Sequence, residues 1–87
     1  MIKSFKKTNN SIYVEDENGN IIASIFFIEK EEGVFDITKT FVHESLRGQG
    51  IAALLVQEAI KEIRSRNGKI TASCSYAKKY LEKNNIE

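Results

Sequence analysis

An α+β fold built on a mixed sheet is what three features of this 87-residue sequence predict. Two strand-like runs, the second more apolar, flank Asn18-Gly19, a third apolar run spans Val34 to Val42, and from Gly50 onward the apolar residues change to helical period. The three strand-like runs predict an antiparallel three-strand meander. The order that follows, a long helix and then another strand, predicts a fourth strand parallel to the third, reached by a right-handed crossover, with a C-terminal helix after it.

Ser11 to Glu15 reads as the first strand and Ile21 to Ile28 as a more apolar second one. Between them Asn18-Gly19 supplies residues that tolerate positive φ in a tight hairpin. Glu29 to Gly33 is polar and ends in glycine, which marks the next turn. In the third strand, alternation places Phe35, Ile37 and Phe41 on one face, with Lys39 as the exception. Phe26, Phe27, Phe35 and Phe41 all lie on strand patterns, and the reading is that they belong to the core.

Ile51, Ala52, Leu54, Leu55, Val56, Ala59, Ile60 and Ile63 form a wide apolar stripe at helical spacing, so the main helix runs from Gly50 to near Asn67-Gly68. That pair suits the left-handed position past a helix end, and Arg64 and Arg66 place positive charge at the negative end of the helix dipole. Lys69 to Ala72 reads as a short inner strand. Ser73 or Ser75 can cap a last helix from about Tyr76 to Lys83.

Length and composition bound the rest. Eighty-seven residues with 41% hydrophobic content support one core, so residues 1–87 read as a single domain. Thirteen Lys and Arg against twelve Asp and Glu give a net charge of +1, too little to draw the chain to nucleic acid or an anionic membrane. Cys74 is the lone cysteine, which excludes an internal disulfide and points to a reducing cytoplasm. The polar, lysine-rich start and the lack of any long apolar run point to neither export nor membrane spanning. One His and one Cys make no ligand cluster, so no metal is expected.

The segment with chemical content is Arg47-Gly48-Gln49-Gly50-Ile51-Ala52, between the third strand and the main helix. Glycines there permit close backbone approach, and the first amides of the helix point outward without partners. With the helix dipole behind them, such amides hold a pyrophosphate without a metal, and Arg47 adds to the field. The spacing fits neither a P-loop nor a dinucleotide fingerprint. A glycine-rich start to a helix with no ligand is the structural alternative.

The same segment resembles the acetyl-CoA-binding motif of the GNAT acetyltransferases, Gln/Arg-x-x-Gly-x-Gly/Ala, met by Arg47, Gly50 and Ala52. With Cys74-Ser75-Tyr76, the stretch Thr38 to Asn84 resembles the short, single-domain GNAT-like acetyltransferases. The resemblance implies acetyl-CoA as cosubstrate, amides from Gly48 to Ala52 on the pyrophosphate, and the backbone of Phe41 and Val42 along the pantetheine arm. It also implies transfer of acetyl to an amine whose identity the sequence does not contain. Larger members place two helices before their second strand to help form the acceptor site, whereas here Asn18-Gly19 joins two strands directly.

Larger members also carry an Asn-x-x-Ala-x-x-x-Tyr-Glu-Lys-like run whose tyrosine protonates the departing CoA thiolate. Aligned on Ala77 and Glu82-Lys83, that tyrosine falls on Leu81 and the asparagine on Cys74. Tyr80 is about a hundred degrees away around a helix and does not take its place. Cys74, at a helix start, sees the positive dipole end, which favours thiolate and makes it a candidate acetyl carrier or proton donor. Its other reading is a small buried hydrophobe. His43 and Glu44 lie past the third strand, without an assigned role as base. Lys78, Lys79 and Lys83 read as a solvated helix face from which a long stem can reach an adenosine phosphate. Two function classes follow: an N-acetyltransferase assisted by Cys74, and a noncatalytic CoA-binding or interaction module.

Overall fold

Strand pairing follows the alternation of apolar residues. In the computed structural model, which describes residues 5–86, the strands are β1 (Lys6–Lys7), β2 (Ser11–Glu15), β3 (Ile21–Glu31), β4 (Val34–Val42) and β5 (Lys69–Ala72). They form one sheet in the order β1-β2-β3-β4-β5, antiparallel except for the parallel β4–β5 pair. Helix α1 (Ile51–Ser65) joins β4 to β5, and α2 (Ser75–Lys83) follows β5. The mixed sheet, the meander and the parallel last strand are as the sequence predicts.

Two differences lie in the strands. β1 is an added edge, defined by Lys6 opposite Tyr13 and Lys7 opposite Ile12; two lysines carry no alternation to reveal it. β3 runs on to Glu31 because the turn is only Glu32-Gly33, with Gly33 at φ 77° and Glu31 already opposite Val34. The first loop needs Gly19 at φ 83°, and the Asp16 carboxylate closes it by accepting from the amides of Asn18 and Asn20.

A bulge in β4 decides which side chains face the helices. Phe26 pairs with Lys39 and Phe27 with Ile37, so Thr38 has no partner and the alternation slips by one residue. Ile37 and Thr40 therefore share a face with Ala23, Ile25 and Phe27, while Asp36, Lys39 and Phe41 share the other with Ser24, Phe26 and Ile28. Phe41 is thus not on the face of Phe35 and Ile37. Phe27 and Phe35 are core, in edge-to-face contact at 6.3 Å, but Phe26 and Phe41 are each 40% exposed.

The helices pack on the first face. Ile51, Leu55, Val56, Ala59, Ile60 and Ile63 of α1 and Ala77 and Leu81 of α2 join Ile12, Val14, Ile25, Phe27, Phe35, Ile37 and Ile70 in one apolar cluster. Each large apolar side chain removed from water there contributes about 1.5–3 kcal/mol before entropy is counted. Both helices end with carbonyls of their last turn accepting from the residues that follow. Asn67 takes φ 60° after α1, its amide donating to the Arg64 carbonyl and the Gly68 amide to Ile63 at 3.0 Å. Asn85 and Ile86 repeat the arrangement after α2, donating to Glu82 and Leu81. Gly68 itself is fixed by packing, since a Cβ there would sit 2.5 Å from the Phe35 ring.

Candidate functional site

The site begins where β5 stops. Its last residue, Ala72, lies opposite Ile37, and the amides of Ser73 and Cys74 both donate to the Ile37 carbonyl at 3.0 Å as the chain turns into α2. β4 continues to Val42, but from Thr38 onward only β3 pairs with it among the described residues. A strand with one bare side thus runs from Cys74 toward the start of α1. Phe41 and Val42 lie at its far end.

Beyond Val42 a 3-10 turn, Glu44–Leu46, begins at His43, whose Nδ1 accepts from the Ser45 amide at 3.1 Å and lies 2.8 Å from the Ser45 hydroxyl. His43 is thereby engaged in holding its own turn. Gly48 and Gly50 both adopt the left-handed region, at φ 84° and 74°, and beyond the adjoining backbone no atom of the described residues lies within 4 Å of a Cβ built on either. The loop is therefore shaped by backbone conformation and leaves open space above it. Arg47, Gly48, Gln49 and Gly50 are all exposed.

Gly50 is the N-cap of α1 and brings no side chain to it; the first helical bond is from the Leu54 amide to the Gly50 carbonyl at 3.1 Å. The amides of Ile51, Ala52 and Ala53 precede that bond and have no partner within the helix. A neutral, uncapped helix start next to an exposed arginine presents positive potential to solvent. Gln49 turns back, its side-chain amide donating to the Ser45 carbonyl at 3.4 Å.

At the opposite end of the bare strand, Cys74 is the N-cap of α2, where Ser73 or Ser75 was expected, and the helix begins at Ser75. The thiol is half-buried and its Sγ lies 3.4 Å from the Thr40 hydroxyl, a residue carried to this face by the bulge. Burial pushes the Cys74 thiol up, yet the net shift is downward, because the Thr40 hydroxyl and the first amides of α2, at Ala77 and Tyr76, favour the thiolate. Thr40 carries no sequence signal of this role. It depends on the bulge, which alternation does not reveal.

Leu81 is 7% exposed and belongs to the core, so no hydroxyl stands at that position of α2. Tyr80 points elsewhere and accepts a hydrogen bond from the Gln57 side chain at 3.0 Å. Tyr76 is 41% exposed, its phenol pushed up by burial and by the neighbouring Tyr80. A groove of about 380 Å³ lies between the start of α1 and α2, lined by Ala53, Tyr76, Lys79, Tyr80, Lys83 and Asn84. Of the three lysines on α2, only Lys79 and Lys83 line it, one helical turn apart.

The profile of the GCN5-related N-acetyltransferase family matches residues 11–87. The chain belongs to that family. A GCN5-like protein from Staphylococcus aureus, solved in solution by NMR, is 34% identical to this GCN5-related chain; the match covers 94% of this chain and 80% of that one, with a TM-score of 0.78. Two larger structures share the fold at lower identity. A GNAT-family acetyltransferase from Staphylococcus aureus Mu50 is 19% identical over 85% of this chain and 50% of its own, with a TM-score of 0.69. A GNAT-family N-acetyltransferase from Escherichia coli, in complex with CoA, is 20% identical over 71% of this chain and 38% of its own, with a TM-score of 0.64. This GCN5-related chain therefore spans half or less of those two relatives. No curated protein matches it. Acetyl transfer is the general activity of the family.

Proposed function

We propose that residues 1–87 act as one minimal N-acetyltransferase domain that binds acetyl-CoA along the bare side of β4 and transfers its acetyl group to an amine. The observation that carries this reading is the continuous path from the Cys74 thiol, past Thr40, to the uncapped amides at the start of α1. In this reading the amides from Gly48 to Ala52 and the Arg47 guanidinium hold the pyrophosphate, with Gln49 shaping the loop. The backbone of Phe41 and Val42 flanks the pantetheine arm, and the thioester lies toward Cys74. Lys79 and Lys83 face the groove from which they meet the adenosine phosphate.

Cys74 then takes one of two chemical roles. As a carrier its thiolate attacks the thioester carbonyl, expels the CoA thiolate, and passes the acetyl group to the neutral amine. As an acid its thiol protonates the departing CoA sulfur while the amine attacks directly. Positioning supplies much of the rate in either case. The competing reading, a noncatalytic CoA-binding module, draws on Leu81, whose buried side chain offers no proton where larger members have tyrosine.

Thermal protection by acetyl-CoA is expected under both readings, and amine-dependent release of free CoA only under the first. A panel of amine acceptors followed by mass detection of acetylated product separates them. Binding without turnover on any acceptor would leave the CoA-binding module standing. Intact mass after brief exposure to acetyl-CoA distinguishes the carrier, which gains an acetyl group on Cys74, from the acid, which does not.

A further inference from the structure

Asp36 is a carboxylate only 5% exposed, in the middle of β4, on the face away from the helices. A buried carboxylate costs several kcal/mol of lost hydration unless hydrogen bonds replace the water. Both replacements come from the end of the neighbouring strand. The Thr71 hydroxyl donates to Oδ1 at 2.8 Å while also lying 3.0 Å from the Phe35 carbonyl, and the Ser73 hydroxyl donates to Oδ2 in a short contact. An apolar residue at this position would pair β4 with β5 equally well. What it would not do is fix Ser73.

The residue after Ser73 is Cys74, and the following residue of β4, Ile37, accepts the amides of both. Residues 36 and 37 thus tie down the turn that opens α2, and the bulge at Thr38 then brings Thr40 onto the side where the sulfur lies. We propose that Asp36 is the positioning residue for Cys74, holding the Ser73-Cys74 turn so that the thiol stays against the Thr40 hydroxyl. The role concerns geometry, and its use in turnover rests on the reading that Cys74 takes part in acetyl transfer.

The test uses the fact that Cys74 is the lone cysteine, so alkylation by iodoacetamide, followed by intact mass across pH, reports on it alone. In Asp36→Asn and in Ser73→Ala the midpoint of that profile should move upward, slowing alkylation at fixed pH below the midpoint by roughly threefold, which is about half a pH unit. The double variant should show the same shift as either single one, because both act through one contact. Folded variants with a lower melting temperature but an unmoved midpoint would make Asp36 merely structural and overturn the proposal, as would additive shifts. Should Asp36→Asn fail to fold, Ser73→Ala, altered at an exposed side chain, must move the midpoint by itself, and an unmoved midpoint overturns the proposal. Full turnover by Cys74→Ala would sink the chemical role of the cysteine, while the alkylation profile still decides whether Asp36 positions it.

Discussion

The starts of α1 and α2 are both without a capping hydrogen bond from a side chain, and they are built to opposite ends. At α1 the N-cap is Gly50 in the left-handed region, with open space above it, so the amides stay free for something outside the chain. At α2 the N-cap is Cys74 in extended conformation, and the amides act on a group the chain itself supplies, drawing the thiol toward the thiolate. The same helix-start field is left open to solvent in one place and spent on a side chain in the other. The bare side of β4 connects them.

The largest expected effect comes from removing the occupied start. Cys74→Ala and Cys74→Ser should fold and bind acetyl-CoA, with turnover lowered by about 100-fold, the lower end of what a positioned proton donor contributes. Because the folded thiol lies below its ordinary value, its contribution to stability is present above the unfolded value and is lost as pH falls through the folded one. The pH profile of turnover sharpens the comparison: a carrier gains rate as pH rises through the lowered value, whereas a proton donor loses it. Variants whose turnover falls only in proportion to their stability would return Cys74 to a packing role.

At the open start, Gly50→Val should weaken acetyl-CoA binding about tenfold or more. A Cβ built there meets nothing within 4 Å beyond its chain neighbours, so the cost is conformational: a β-branched residue at φ 74° carries strain of about 1–3 kcal/mol. Relaxing that strain turns the peptide and redirects the first amides of α1. Calorimetric titration of folded protein checks this, and unchanged affinity would move the pyrophosphate elsewhere.

Gly68→Ala is the control for glycine as such. Its Cβ would press to 2.5 Å from the Phe35 ring and 2.9 Å from Ile63, an overpacking that costs about 1–3 kcal/mol. Stability should fall while affinity for acetyl-CoA stays unchanged, as the position lies at the far end of α1. A loss of affinity without loss of stability would mean that the groove extends further than the residues lining it here.

These contrasts also show why some of the molecule is legible in sequence and some is not. Ser11–Glu15, Val34–Val42 and the apolar stripe of α1 announce themselves because each buries one face, and burial imposes a period. The glycine turn is legible because positive φ restricts the residues that can stand there. The bulge at Thr38 leaves no such mark: any residue can be skipped by a partner strand, so Phe41 is misassigned to the face of Ile37 and the contact of Thr40 with Cys74 goes unseen. Asp36, Thr71 and Ser73 are likewise ordinary strand and turn residues until parallel pairing brings them together.

The smallest effect tests the groove between the start of α1 and the length of α2. Lys79 and Lys83 line it and Lys78 does not, although all three lie on α2 and are exposed. A solvated lysine facing a phosphate contributes on the order of 0.2–1 kcal/mol, since solvent screens it, so Lys79→Ala and Lys83→Ala should each weaken acetyl-CoA binding by only about two- to fivefold. That weakening should shrink as salt is raised toward about 1 M, where screening acts within about 3 Å. Lys78→Ala serves as the internal reference and should bind as the unaltered chain does. Dephospho-CoA, which lacks the adenosine phosphate, sharpens the assignment: if the lysines meet that group, their substitutions cost nothing against this ligand. Equal losses for all three lysines would instead point to a diffuse positive field along α2, with the groove left to take the uncharged part of the cosubstrate.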